Sequence, residues 1–323
     1  MMLKNQTFRH FLLSRLALVL IASLVVFASM VLLPGDPAEV LLGVDARPDT
    51  IATLHHKLGL DRPLPERYLH WLKDMATGDL GQSYSYSIPV SQLLSDRLAV
   101  SAPLAGMALG LAVILGVPLG LFAAARKGRA VDVILMSGIQ LTKAMPDFWL
   151  AMILTSIFAL TLHWFPAGGF PGWGQGIAHG VQALLLPALA LALPQAAVLA
   201  RFSRSSALQT LQAPFILTAR AHGLSRQAVL WRHVLPHSLP PVLAVISLQI
   251  PLLLSGTIIV ENVFDLHGTG SLLLEAVNQR DIPVVQGCVL LVVLVVILEK
   301  GLLQWLESRL SPWVNHTQGG PRS

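Results

Sequence analysis

The chain has 323 residues, of which 54% are hydrophobic and only 12% are charged, and its mean hydropathy is +0.66. Soluble domains carry about 25% charged residues, so this composition indicates a protein whose apolar segments lie in lipid. The net charge of +5 does not indicate nucleic-acid binding, because the basic residues flank apolar runs and form no single stripe. The single cysteine, Cys288, excludes a disulfide framework.

Six apolar runs approach or exceed the roughly 20 residues that a helix needs to cross a bilayer. The first could be mistaken for a signal peptide, but it is too long for one and no Ala-x-Ala-like cleavage site follows it. We therefore predict an all-α, polytopic membrane protein with six transmembrane helices. The predicted spans are 11–33, 100–125, 133–162, 181–200, 239–260 and 282–298.

The distribution of charge predicts the orientation of these spans. Basic residues precede the first span, and the segments 126–129 and 201–240 contain basic but no acidic residues. Residues 34–98, in contrast, carry nine acidic residues against six basic ones. The positive-inside rule therefore places both termini in the cytoplasm. The predicted organisation is a cytoplasmic N-terminus with the first span (1–33), a periplasmic lobe (34–98), a transmembrane core (99–310) and a cytoplasmic tail (311–323).

The segment 201–240 between the fourth and fifth spans contains five arginines and three histidines but no acidic residue. We expect two short helices in it. The first, 215–222, begins after Pro214 and is stopped by Gly223; the second, 226–234, is ended by Pro236. Small residues and arginines on one exposed element fit a groove in a partner protein. The alternative is an ordinary loop whose arginines only anchor the topology.

This segment resembles the coupling loop of binding-protein-dependent ABC importer permeases, and most closely that of the dipeptide, oligopeptide and nickel subfamily. Its Ala-Arg-Ala-His-Gly-Leu matches that subfamily's Ala-Arg-Ala-Lys-Gly-Leu at every place except the histidine. Further motifs match in order along most of the chain, among them Gly-Asp-Leu-Gly-Gln-Ser at 78–83, Pro-Asp-Phe-Trp at 146–149 and Val-Glu-Asn-Val-Phe at 260–264. By resemblance, the ATPase-coupling residues are Thr218, Ala219, Arg220, Ala221, His222, Gly223, Leu224, Leu235 and Pro236.

The resemblance implies a MetI-like permease fold with a cytoplasmic coupling helix, in the bacterial inner membrane. It also implies half of a pathway for peptides or nickel and metal-chelate complexes, with a second homologous permease, two ABC ATPase subunits and a solute-binding protein as partners. The chain contains no Gly-x-x-x-x-Gly-Lys sequence, so we expect no cofactor and no ATP hydrolysis in this subunit. The chain departs from the family at 267–270, which reads His-Gly-Thr-Gly, and at its C-terminus near 307–312.

Three charged residues lie within predicted spans, where they usually face a partner or a water-filled path. Lys143 and Asp147 are four residues apart in the third span, so they either neutralise each other on one helix face or line the pathway. Glu261 lies near the external end of the fifth span and either faces the pathway or pairs with a neighbouring helix. Asp147 and Glu261 also leave open an alternative function, that of an ion-coupled secondary transporter.

Overall fold

The computed structural model describes residues 17, 19–28, 36–43 and 47–310. This part of the chain is helical apart from its loops and one isolated β-bridge between Gln82 and Pro89, so the predicted all-α fold is confirmed. We number the helices in chain order. They are α1 (Val19–Ala28), α2 (Pro37–Leu42), α3 (Pro48–Leu58), α4 (Leu64–Ala76), α5 (Val90–Ala125), α6 (Ala130–Ala144), α7 (Asp147–Leu154), α8 (Ile177–Leu211), α9 (Pro214–Ala221), α10 (Arg226–Val229), α11 (Leu235–Val263), α12 (Thr269–Asn278) and α13 (Ile282–Leu310).

Four helical segments of the described chain are long and apolar enough to cross a membrane. They are Val90–Ala125, Ile177–Leu211, Arg226–Val263 and Ile282–Leu303. A fifth span is formed if α6 is counted together with Asp147–Thr161, which consists of α7 and the π-helical segment Thr155–Thr161. The predicted first span, 11–33, lies largely outside the described residues, as does the predicted tail, 311–323. The predicted boundaries at residues 33, 98 and 310 concern sides of the membrane and stay predictions.

The predicted third span is not one helix, which corrects the expectation for residues 133–162. Helices α6 and α7 are bent by 105° relative to each other. Between them Met145 has extended backbone, because Pro146 lacks an N–H and disfavours a helical conformation in the residue before it. Lys143 therefore lies in the last turn of α6 and Asp147 begins α7, so they do not share a helix face. They form no salt bridge with each other.

The described residues divide into two compact units, which we consider separately. The first falls within Met1–Val100 and Gly268–Ile297, and the second within Ser101–His267 and Leu298–Ser323. In the first unit the N-terminal part of α5 packs on α13. A Cβ added to Gly287 would lie 2.7 Å from Cγ1 of Val90, so only glycine permits this approach. The same buried cluster contains Cys288.

In the second unit α8 is the most enclosed of the spans. Gly116 and Gly120 of α5 lie against its backbone, where added Cβ atoms would come within 2.7 Å of the Ala196 oxygen and 2.3 Å of the Ala200 oxygen. Small residues four apart allow two membrane helices to pack at close range. This contact makes α5 and α8 the frame on which the segment 201–240 is built.

Candidate functional site

The coupling segment, which we define as residues 214–236, begins with helix α9. Pro214 occupies the first turn of α9, where its missing N–H has no helical partner, as the sequence predicts. The helix ends at Ala221, and Gly223 follows with a φ of +80°, a conformation that residues with a Cβ rarely adopt. No heavy atom lies within 4 Å of the position that its Cβ would occupy. The glycine is therefore required by backbone conformation and not by space.

Helix α9 is attached to the second unit by one face. Ile216 is fully buried and Ala219 is 8% exposed, and both pack in the hydrophobic cluster that also contains Val229 and Val234. Phe215 adds a ring contact with His237 of α11, with centroids 4.7 Å apart. Ala219, predicted to couple to an ATPase, thus faces its own subunit.

The remaining predicted coupling residues of this helix and its end are exposed, and they form the surface available to a partner. This exposed set consists of Thr218, Arg220, Ala221, His222 and Gly223. Leu224, Leu235 and Pro236 are half-buried. The structure therefore separates the predicted coupling residues into an anchoring part and an exposed part, a division that the linear motif does not show.

The second half of the coupling segment differs from its prediction. Helix α10 passes into a π-helical turn, Leu230–Val234, and this turn continues directly into α11. Pro236 does not end the helix, because it lies in the first turn of α11, where a proline is tolerated. One continuous helical path consequently runs from Arg226 to Val263.

A buried ion pair lies at the start of α6. Asp132 is 3% exposed and receives two hydrogen bonds from the guanidinium of Arg204 on α8, each 2.7 Å long. The N–H of Gly128 donates a third, at 3.0 Å. The pairing of Asp132 with Arg204 is not among the sequence predictions, in which Arg204 is one of the five arginines of residues 201–240. The available signal was a lone carboxylate beside three basic residues at 126–129.

The three candidate pathway residues lie in different settings. Lys143 is exposed, while Asp147 is half-buried with its carboxylate against α11, 3.3 Å from where a Cβ of Gly256 would lie. Glu261 is fully buried and accepts a hydrogen bond of 2.5 Å from the hydroxyl of Ser101 on α5. Glu261 thus contacts a neighbouring helix, and its role in the pathway stays a prediction. Pathway roles for Lys143 and Asp147 stay predictions.

The first unit contains a buried carboxylate that none of the sequence motifs described above includes. Asp281 is fully buried and accepts hydrogen bonds from the Ser83 hydroxyl (2.5 Å) and the Ser85 N–H (3.0 Å). Next to it the hydroxyl of Tyr86 donates to Glu275, at 2.9 Å. Burial raises the pKa of Tyr84, and burial followed by the hydrogen bond to Glu275 raises the pKa of Tyr86. These contacts fix residues 83–86 against the segment that precedes α13.

Two histidine rings make local contacts in the structure. Nε2 of His55 lies 2.5 Å from a carboxylate oxygen of Asp36, and Nδ1 of His237 lies 2.7 Å from the carbonyl oxygen of His233. Across residues 17, 19–28, 36–43 and 47–310, no group of three or more histidine, cysteine, aspartate or glutamate side chains is placed to hold a metal ion.

Comparison with known proteins identifies the family. Residues 116–315 match the family described as binding-protein-dependent transport system inner membrane component, and residues 3–105 match the corresponding N-terminal family. The chain belongs to this family. The second match covers the part of the chain that contains the predicted first span and lobe, and the first match covers the coupling segment.

Several relatives of this permease family align along nearly their whole length. A glutathione transport system permease protein of Salmonella choleraesuis is 35% identical over 305 residues, which cover 94% of this chain and 97% of the relative. A dipeptide transport system permease protein of Alkalihalophilus pseudofirmus is 33% identical over 314 residues, covering 91% and 94%. A relative from Brucella suis, named for a peptide transport system permease, is 38% identical over 272 residues, covering 84% and 87%.

The fold agrees with this family. The chain is similar to a subunit of the MetNI methionine ABC transporter in inward-facing conformations, with a TM-score of 0.55 and 14% identity over 68% of this chain and 97% of that one. The predicted MetI-like fold is thereby confirmed. As a member of this permease family, the protein is a membrane-spanning permease subunit of an ABC importer. The alternative of an ion-coupled secondary transporter finds no support.

Proposed function

We propose that this chain forms half of the inner-membrane pathway through which an ATP-driven bacterial importer takes up short peptides. A second homologous permease completes the pathway, and two ABC ATPase subunits bind and hydrolyse the ATP, so this chain needs no cofactor of its own. Both termini and the coupling segment lie in the cytoplasm. The observation that carries the proposal is the arrangement of the coupling segment. Its exposed residues lie on a helix whose other face, with Ile216 and Ala219, is buried in the second unit.

The anchors explain how motion would pass from an ATPase into the membrane. Ile216 and Ala219 pack with Val229 and Val234 in one cluster, so α9 cannot move without moving the helical path that starts at Arg226. That path continues to Val263 and contains Glu261, which is hydrogen-bonded to α5. Closure of the ATPases against the exposed set would therefore displace α11 as a lever and favour one of two arrangements of the bundle.

Short peptides are the proposed cargo because the three relatives reported above are named for peptide, dipeptide and glutathione transport. Nickel ions and metal chelates are the competing cargo, because the sequence resembles a subfamily that transports nickel as well as peptides. A solute-binding protein would deliver the cargo to the lobe that contains α2, α3 and α4. The lobe carries most of the acidic residues of the external side, and its helix α4 is joined to α1 by ring contacts of Tyr68 and Trp71 with Phe27.

Uptake by the reconstituted importer tests this proposal. The chain, co-purified with its ATPases and second permease, would be placed in proteoliposomes with the binding protein and a labelled dipeptide, labelled glutathione or nickel ions. We expect ATP-dependent accumulation of a peptide. Accumulation of nickel without peptide would reject peptides as the cargo. Purification of this chain without ATPase subunits would reject the proposed assembly with two ABC ATPases.

A further inference from the structure

Two adjoining cavities of the second unit lie beside the coupling segment, and the proposed transport mechanism assigns a ligand to neither of them. The first, which we call the α5 groove, has a volume of about 610 Å³ and is lined by the last three turns of α5 together with Leu230 and Trp231. The second, which we call the basic cavity, has a volume of about 360 Å³. The two share the side chains of Arg126, Arg129 and Arg226, so an extended ligand could occupy both.

The basic cavity has cations without carboxylate partners. Its charged lining residues are Arg126, Lys127, Arg129, Arg220 and Arg226, and no acidic residue is among its lining. None of these five forms a salt bridge with a carboxylate in the described part of the chain. Asp132, three residues after Arg129, is instead bound by Arg204. Like charges gathered in one recess repel each other unless an anion enters, so the recess is suited to a phosphate group.

The α5 groove is apolar and open. Ile114 is 67% exposed, Phe122 is 44% exposed and Trp231 is 53% exposed. At the end of the groove the guanidinium of Arg126 lies over the ring of Phe122, 3.5 Å from its centroid. The boundary between apolar lining and positive charge is therefore fixed by one stacked pair. Tryptophan and arginine at the end of a membrane helix are typical of the level of lipid headgroups.

We propose that the α5 groove and the basic cavity together bind one anionic phospholipid, with an acyl chain along α5 and its phosphate among Arg126, Arg129 and Arg226. The joined apolar and cationic parts match the two chemically different parts of such a lipid, and basic recesses between membrane helices bind anionic headgroups in this way. An acidic side chain of a partner protein would use the basic cavity alone. In the orientation proposed above, this lipid would lie in the cytoplasmic leaflet, but the site itself does not depend on that orientation.

Bound lipid would connect α5 to the coupling segment. Arg126 and Arg129 belong to the end of α5 and the turn after it, whereas Arg226 begins the helical path that leads into α11. A phosphate between these arginines would hold the two elements together by charge-assisted hydrogen bonds. Anionic lipid would thereby strengthen the mechanical link through which the coupling segment acts on the bundle.

The first test measures lipid binding by the purified importer with native mass spectrometry, adding phosphatidylglycerol or phosphatidylcholine in known amounts. In the variant R126Q/R129Q we expect phosphatidylglycerol to bind about 25-fold more weakly, roughly fivefold for each arginine removed, with phosphatidylcholine unaffected. The variant R126K/R129K keeps both charges and should bind within a few-fold of the unmodified importer. The matched control is R201Q/R232Q, because both residues are exposed arginines of the segment 201–240 and line neither cavity.

Two results would reject the site. One is equal loss of phosphatidylglycerol in R126Q/R129Q and in R201Q/R232Q, which would mean that only overall charge matters. The other is disulfide cross-linking of Ile114→Cys to the second permease with no retained anionic lipid, which would show that the α5 groove is a subunit interface. As an independent check, Leu119→Trp should fill the groove and displace lipid while keeping every arginine. Lipid binding is measured without transport, so it does not depend on the cargo.

Discussion

Asp132 and Asp281 are both buried aspartates that connect distant parts of the chain, but their carboxylates have different hydrogen-bond partners. Asp132 meets a guanidinium through two short hydrogen bonds, whereas Asp281 receives a serine hydroxyl and a backbone N–H. A charged partner makes the first contact strong but expensive to break, because the remaining ion would stay buried. Neutral donors make the second contact weaker and dependent on the shape of one loop. The Asp132 contact of the second unit is thus fixed by charge, and the Asp281 contact of the first unit is fixed by local geometry.

Removing the arginine should have the largest effect on stability. Arg204→Met leaves the Asp132 carboxylate, of which only 4% is exposed, without its counter-ion. We expect a loss of about 3 to 5 kcal/mol in the free energy of unfolding, measured by denaturant titration of the purified subunit in detergent. The double variant D132N/R204M removes both charges and should recover part of this loss. If Arg204→Met were as stable as the unmodified protein, the pair would have no structural role.

The second aspartate should matter less. Asp281→Ala removes the acceptor for Ser83 and Ser85 but leaves no unpaired ion, so we expect a loss of about 1 to 3 kcal/mol. Hydrogen exchange should rise at residues 83–86 and stay unchanged in the coupling segment. Asp61→Ala is the matched control, since that aspartate is exposed and outside this network. Equal exchange in the two variants would contradict the assignment of Asp281 as the residue that fixes this loop.

A substitution in the coupling segment should reduce transport more than it reduces stability. Gly223→Asp places a Cβ at a φ of +80° and an acid in the exposed set, which we expect to reduce ATP-driven uptake at least tenfold, about 1.4 kcal/mol, while membrane insertion is retained. Gly172→Asp is a matched control, because Gly172 has a φ of +84° and equally open surroundings outside the coupling segment. Normal uptake by Gly223→Asp would contradict a docking role for this segment.

The sequence predicts the features that depend on local signals, but it does not predict contacts between distant residues. The helical fold and the start and stop of α9 follow from apolar run lengths, Pro214 and Gly223, which are local signals. The break in the third span had a local signal too, in Pro146, but the surrounding apolar run concealed it. The pairs Asp132–Arg204 and Ser83–Asp281 join residues 72 and 198 positions apart, so no spacing rule reaches them. The buried face of α9 also depends on Val229 and Val234, which lie beyond that helix.

The smallest expected effect is on the pH at which Tyr84 ionises, and it depends on Asp281. Burial raises the pKa of Tyr84, and the negative charge of Asp281 raises it further, while Arg67 acts in the opposite direction. The folded protein therefore favours the neutral phenol, which adds stability below the ordinary pKa near 10 and loses it as pH rises through the higher folded value. In a spectrophotometric titration, Tyr84→Phe should remove a late-titrating phenol, and Asp281→Asn should make Tyr84 ionise at lower pH. An unchanged titration in Asp281→Asn would show that the Asp281 charge does not reach Tyr84, and the two would then be neighbours without electrostatic coupling.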